Sequence, residues 1–317
     1  MKQVIKDTLP SDPTHGHSLA EDIARIEAQM LQRRRALAWL GSSAGALLIG
    51  GCGGGGSSSG SATTAATTAA TSTGTSTGTT AAATTASSSS TSTSSTSSSS
   101  CVADPQETAG PYPADGTNTS SGSTSDILTA SGIVRSDIRS SFISSTTVAQ
   151  GVQVTLTLTL ANTGANCAAL AGYAVYLWHC DAVGNYSLYS APAESYLRGV
   201  QVSNSAGQVT FVTIFPGCYS GRWPHMHLEV FSSQAAATSG KNAVLTTQLA
   251  MPSAVCSAIY PYVSNYTRSV SNFAAISLST DNVFSDNTAA QIAAQTPTMA
   301  GSVADGYTAA ATISLAG

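Results

Sequence analysis

Charge is scarce in this chain. Only 9% of its 317 residues are charged. Downstream of Cys52, six basic residues (Arg135, Arg139, Arg198, Arg222, Lys241 and Arg268) stand against eleven acidic ones, a net of −5. With no basic patch, nucleic acid is not an expected partner. No Cys-x-x-Cys occurs, so a cysteine-rich metal cluster is excluded. From Gly53 to Ser100 nearly everything but Gly, Ser, Thr and Ala is missing. Such a stretch has too little apolar surface to offset the entropy of ordering it, and reads as a disordered tether.

What precedes the tether reads as an address. Arg33, Arg34 and Arg35 stand before the apolar run 36–49, too short to span a bilayer comfortably but of signal-peptide length. The run closes on Ile49-Gly50-Gly51-Cys52, similar to a lipobox. Residues 1–51 therefore read as a twin-arginine-like lipoprotein signal peptide, and Cys52 as the lipidation site. Residues 52–100 read as the anchor site and linker, and 101–317 as one domain. The expectation is an exported protein held at a membrane by its lipid. Five cysteines remain beyond Cys52 (Cys101, Cys167, Cys180, Cys218 and Cys256); their odd number leaves at least one unpaired within the chain, and spacing does not fix the pairing.

The rest of the chain carries the apolar residues, and their period is two. Residues 152–160 alternate Val, Leu and Thr or Gln as a half-buried strand does. Further strands are expected over 173–180, 208–215, 225–231 and 243–249, with weaker candidates at 133–138 and 309–315. Only 253–260 looks helical. Many short strands between turns predict an all-β fold, a two-sheet β-sandwich.

The densest chemistry lies in Gly217-Cys218-Tyr219-Ser220-Gly221-Arg222-Trp223-Pro224-His225-Met226-His227. Residues i and i+2 of a strand share a face, so His225 and His227 present two imidazoles side by side, half of a metal site. The folded part has one further histidine, His179, which reads as structural. Tyr219 follows the Pro216-Gly217 break, and Tyr186 follows the turn 181–185. Phenolate oxygen suits a hard trivalent ion. The same His-x-His pair would also suit a copper oxidase, or a non-catalytic module with a vacant or zinc-filled site. Arg198 reads as a buried arginine held by a carboxylate or carbonyls, and Arg135 and Arg139 as solvated partners of Asp137. Pro111 and Tyr112 read as a turn at the pocket mouth.

Four blocks together resemble the intradiol ring-cleavage dioxygenases: ETAGPYP at 107–113, AVYLWHCDAVGNYS at 174–187, YLRGVQ at 196–201 and GQVTFVTIFPGCYSGRWPHMH at 207–227. The resemblance implies ferric iron, Fe(3+), bound by Tyr186, Tyr219, His225 and His227, with Tyr219 leaving the metal when substrate arrives. It implies that Arg222 stabilises anionic substrate and that Gln248 lies beside the pocket. The implied substrates are a catechol-type aromatic and O2, the product a muconate-type diacid. Only five residues separate Tyr219 from His225, a shorter loop than in the family's protocatechuate enzymes.

Overall fold

A computed structural model describes residues 101–316; the leader, Cys52 and the tether lie outside the described residues. The domain is built on two sheets. In the first, β1 (Gln153–Asn162) pairs antiparallel with β2 (Ala168–Ala169) and β5 (Gln208–Ile214), and parallel with β9 (Gly306–Leu315), which pairs with β8 (Thr298–Ser302). The second is antiparallel in the order β4 (Arg198–Val202), β3 (Ala174–Trp178), β6 (His225–Phe231), β7 (Leu245–Ala250). The expected β-sandwich is the fold observed.

Alternation explains how the sheets meet. Val154, Leu156, Leu158 and Leu160 of β1 are buried, while the threonines between them are partly exposed. Burying each leucine stabilises the sandwich by about 2 kcal/mol. Val175 and Leu177 of β3 and Met226, Leu228 and Val230 of β6 join this core. The opposite face of β3 is not in water. Ala174, Tyr176 and Trp178 form a second cluster with Ile127, Leu128 and Leu188, under the loops before β1 and after β3. Every residue of β3, β6 and β7 is consequently buried. His225, His227 and Glu229 share the loop-covered face of β6, away from the core between the sheets.

Some expectations need correction. Residues 133–138 form no strand; they make single bridges, Val134 to Val200 and Asp137 to Val212. The helix read at 253–260 is α1 (Ser253–Ile259), but it has company: α2 (Ser269–Ala274) and α3 (Ala289–Gln295) lie between β7 and β8. Arg139 does pair with Asp137 near the surface. Arg135 is no solvated partner: its guanidinium donates to the carbonyls of Arg198, Ser140 and Ile138 and covers the Phe142 ring. Burial lowers its pKa to about 10. One disulfide joins Cys101 to Cys167, and Cys180, Cys218 and Cys256 are buried free thiols.

Candidate metal centre

Four side chains converge on one point. Strand β6 supplies His225 and His227, whose Nε2 atoms lie 3.1 Å apart. Two loops supply phenols. The loop after β3 turns on Asp181, whose Oδ1 accepts from the backbone N–H of Val183 and of Asn185. That turn delivers Tyr186, with its Oη 3.3 Å from His225 Nε2 and 3.2 Å from His227 Nε2. The loop after β5 delivers Tyr219, with its Oη 3.2 Å from His225 Nε2. The Gly217 N–H donates to the Asp181 carbonyl and ties the two loops together. Gly184, at φ +91°, completes the contact: a Cβ there would sit 3.0 Å from the Tyr219 Cβ.

Each imidazole is held from behind. His225 Nδ1 donates to the Trp223 carbonyl, which leaves the Nε2 lone pair facing the other donors. His227 stacks on the Trp178 indole at 4.9 Å and 7°. Gly110, at φ +71°, lets the chain cross the edge of that ring, because a Cβ would come within 3.2 Å of His227 Cε1. Tyr112 stacks on Tyr186 at 4.7 Å, so it lies against the centre as well as in the turn. His179 stands apart, hydrogen-bonded to the Cys180 carbonyl and to Thr213 Oγ1. Burial lowers its pKa to about 4.

The donor set fits a trivalent metal ion. Bonds of about 2.0–2.1 Å to a common centre put neighbouring donor atoms roughly 3.0–3.4 Å apart, and four of the separations among these atoms are 3.1–3.3 Å. Burial lowers both imidazole pKa values well below the usual range, with Arg222 adding to the effect at His225 and His225 at His227. Both rings are therefore neutral ligands at neutral pH. Burial raises both phenols, Tyr219 to about 12 and Tyr186 well above its ordinary value. They would ionise only against a strong Lewis acid. Among the described residues no group of three or more His, Cys, Asp and Glu side chains could hold a metal, so this mixed phenol and imidazole set is the candidate.

Arg222 lies against the donors, with Nη1 3.4 Å from His225 Nε2. Its Nη2 donates to Gln248 Oε1 at 2.7 Å, and Gln248 Nε2 donates to the Thr108 carbonyl at 2.9 Å. Gln248 pairs with His227 across β6 and β7, which sets it beside the centre. Sequence reasoning missed one partner entirely. Arg222 Nε donates to Asp281 Oδ2 at 2.9 Å, from a loop 59 positions away. Arg198 is buried and bonded to carbonyls of Tyr112, Pro113 and Ser187, as its burial predicts.

No protein-family model and no curated protein matches the chain. Solved structures do. An intradiol ring-cleavage dioxygenase from Tetranychus urticae matches with a TM-score of 0.50 and 23% identity, over 68% of this chain and 95% of that one. The dioxygenase domain of a dioxygenase and carbohydrate-binding protein fusion from Streptomyces sp. SirexAA-E matches at 20% identity and a TM-score of 0.41, over 68% and 99%. The domain that carries two imidazoles and two phenols on the loop-covered face of its second sheet thus has the fold of the intradiol ring-cleavage dioxygenases.

Proposed function

We propose that this chain is a non-haem ferric dioxygenase that cleaves a catechol between its two hydroxyl-bearing carbons and places both atoms of O2 in the diacid product. The observation that carries the reading is the convergence of Tyr186, Tyr219, His225 and His227, each with its donor atom 3.1–3.3 Å from at least one of the others. The fold shared with the Tetranychus urticae enzyme supports it. Ferric iron bound there would supply Lewis acidity and one-electron exchange with the catechol.

The chain's own groups do the rest. A catechol must lose two protons to bind as a dianion, and a phenolate at Tyr219 Oη is placed to take one. Tyr219 suits that duty better than Tyr186: it is partly exposed, whereas Tyr186 is buried under Tyr112. The Arg222 guanidinium fixes a positive group where the substrate gains negative charge, in a buried site where such a group acts strongly. Gln248 holds that guanidinium from the far side. Trp178 and Tyr112 wall the ligands with aromatic surface and exclude water from behind.

Export and lipid anchoring at Cys52 belong to the same proposal. A disulfide between Cys101 and Cys167 supports an oxidising compartment. The test of function is oxygen uptake by the iron-loaded protein on a panel of catechols, with product identification. One O2 consumed per catechol and a ring-opened diacid are expected. Full iron content without uptake on any catechol refutes the reading.

A further inference from the structure

Asp281 has no counterpart among the residues that the sequence singled out, yet its carboxylate is built into the centre. It is fully buried on the loop between α2 and α3. Oδ1 accepts from the backbone N–H of Val283 at 2.8 Å and of Phe284 at 3.1 Å. Oδ2 accepts from Arg222 Nε at 2.9 Å and from the Trp223 N–H at 2.6 Å. Four donors thus lock a carboxylate whose partner guanidinium is itself 3% exposed.

A guanidinium is planar, so two anchors fix its orientation. Asp281 takes Nε and Gln248 takes Nη2; Nη1 is then left directed at His225 Nε2. The pair also settles charge. Asp281 is bonded at Nε, so Nη1 still presents positive charge to an atom close to it, while at longer range the two opposite charges largely offset each other. The next buried guanidinium, Arg198, offers nothing in its place. All five of its N–H groups are committed, to Ser187 Oγ, Tyr176 Oη and the carbonyls of Tyr112, Pro113 and Ser187.

We infer that Asp281 is the positioning residue of this site: it aims Arg222 at the bound catechol and, by offsetting its charge at longer range, makes the site prefer catechols with uncharged rings over those bearing a ring carboxylate. The inference rests on the proposed function and adds the substrate class to it. A unit charge on the order of 10 Å away, in an effective dielectric of about 20, changes affinity roughly tenfold. Removing the Asp281 charge therefore shifts the discrimination between a neutral and an anionic catechol by about that factor.

The experiment uses Asp281→Asn and Asp281→Glu in the full chain, with two readouts. The first is the Arg222 Nε–H resonance of the metal-free protein, assigned by its loss in Arg222→Lys. It is downfield and slow to exchange in the wild type, lost in Asp281→Asn and retained in Asp281→Glu. The second is the ratio of kcat/KM for catechol to that for 3,4-dihydroxybenzoate in the iron-loaded protein. The wild type favours catechol, and Asp281→Asn loses roughly tenfold of that preference while kcat falls more than KM changes. Asp281→Glu keeps the preference. A wild-type Nε–H that exchanges as fast as those of exposed arginines refutes the pairing. Wild-type preference for the carboxylated catechol refutes the substrate class. Activity lost in Asp281→Asn with an unchanged ratio makes the residue a structural brace and overturns the inference. Absence of turnover on either catechol refutes the proposed function and the preference with it, whereas the Nε–H readout decides the pairing by itself.

Discussion

Metal uptake should be proton-coupled, and the site says by how much. Burial pushes the Tyr186 and Tyr219 phenols up and the His225 and His227 imidazoles down. At pH 7 the metal-free site therefore holds two phenol protons and two neutral rings. The separations let each phenol O–H donate to one imidazole, Tyr186 to His227 and Tyr219 to His225, both at 3.2 Å. A ferric ion must expel both phenol protons and displaces none from the rings. Because the phenol pKa values are raised, the protons are held until well above neutral pH, so apparent affinity rises with pH throughout the neutral range. Each proton is worth about tenfold per pH unit. From pH 6 to pH 8 the two phenols of the wild type contribute about 10⁴-fold, and the one phenol of Tyr219→Phe about 10²-fold. The assay is calorimetry of ferric-chelate binding in buffers of different ionisation enthalpy. The difference between wild type and variant is read, so that the proton balance of the chelate cancels. One proton fewer is expected for Tyr219→Phe. Equal proton release by the two proteins, or uptake independent of pH, would refute the reasoning.

Two shorter predictions follow from other parts of the chain. Burial raises the Asp104 carboxyl from an ordinary 3.8 to about 7; the folded state keeps this proton, so stability is full below pH 4 and is lost as pH rises through 7. Asp104→Asn should remove that loss, being more stable than wild type at pH 8 by on the order of 3 kcal/mol and equal to it near pH 4, in urea titrations at the two pH values. Cys52→Ala should release the domain from membranes as a soluble exported protein, read by cell fractionation; an uncleaved wild-type chain in the cytosol would end the export proposal.

The sandwich was legible where the period-two pattern was long. Residues 152–160 gave nearly all of β1, and 225–231 is the observed β6. It was illegible where contacts are single. Residues 133–138 look extended, yet they make only one β-bridge to each sheet. Helices α2 and α3 escaped notice because each is about two turns long, too short to show a 3.6-residue period. The candidate ligand set came from the resemblance of residues 174–187 and 207–227 to the intradiol dioxygenases; strand period alone placed only His225 and His227 side by side. Gln248 was likewise assigned by resemblance, and the structure sets it opposite His227. Asp281 could not be found that way: its partner lies 59 residues upstream, and Thr280-Asp281-Asn282 carries no motif. Long-range ion pairs leave no period in a sequence.

The position of β9 bears on how the molecule is assembled in time. All four strands of the sheet that carries the candidate site have been synthesised once Ala250 is made. Part of the other sheet must wait: β1, β2 and β5 can pair early, but β9 lies between β1 and β8, and Val154 must find Tyr307 as its parallel partner. Closing a loop of that length is slow, and no local contact rewards it beforehand. The sandwich should therefore exist for a time with the β1 edge of its first sheet open, until the last strand threads into place. In that interval the nascent protein is open to chaperones, to aggregation and to capture of the wrong metal.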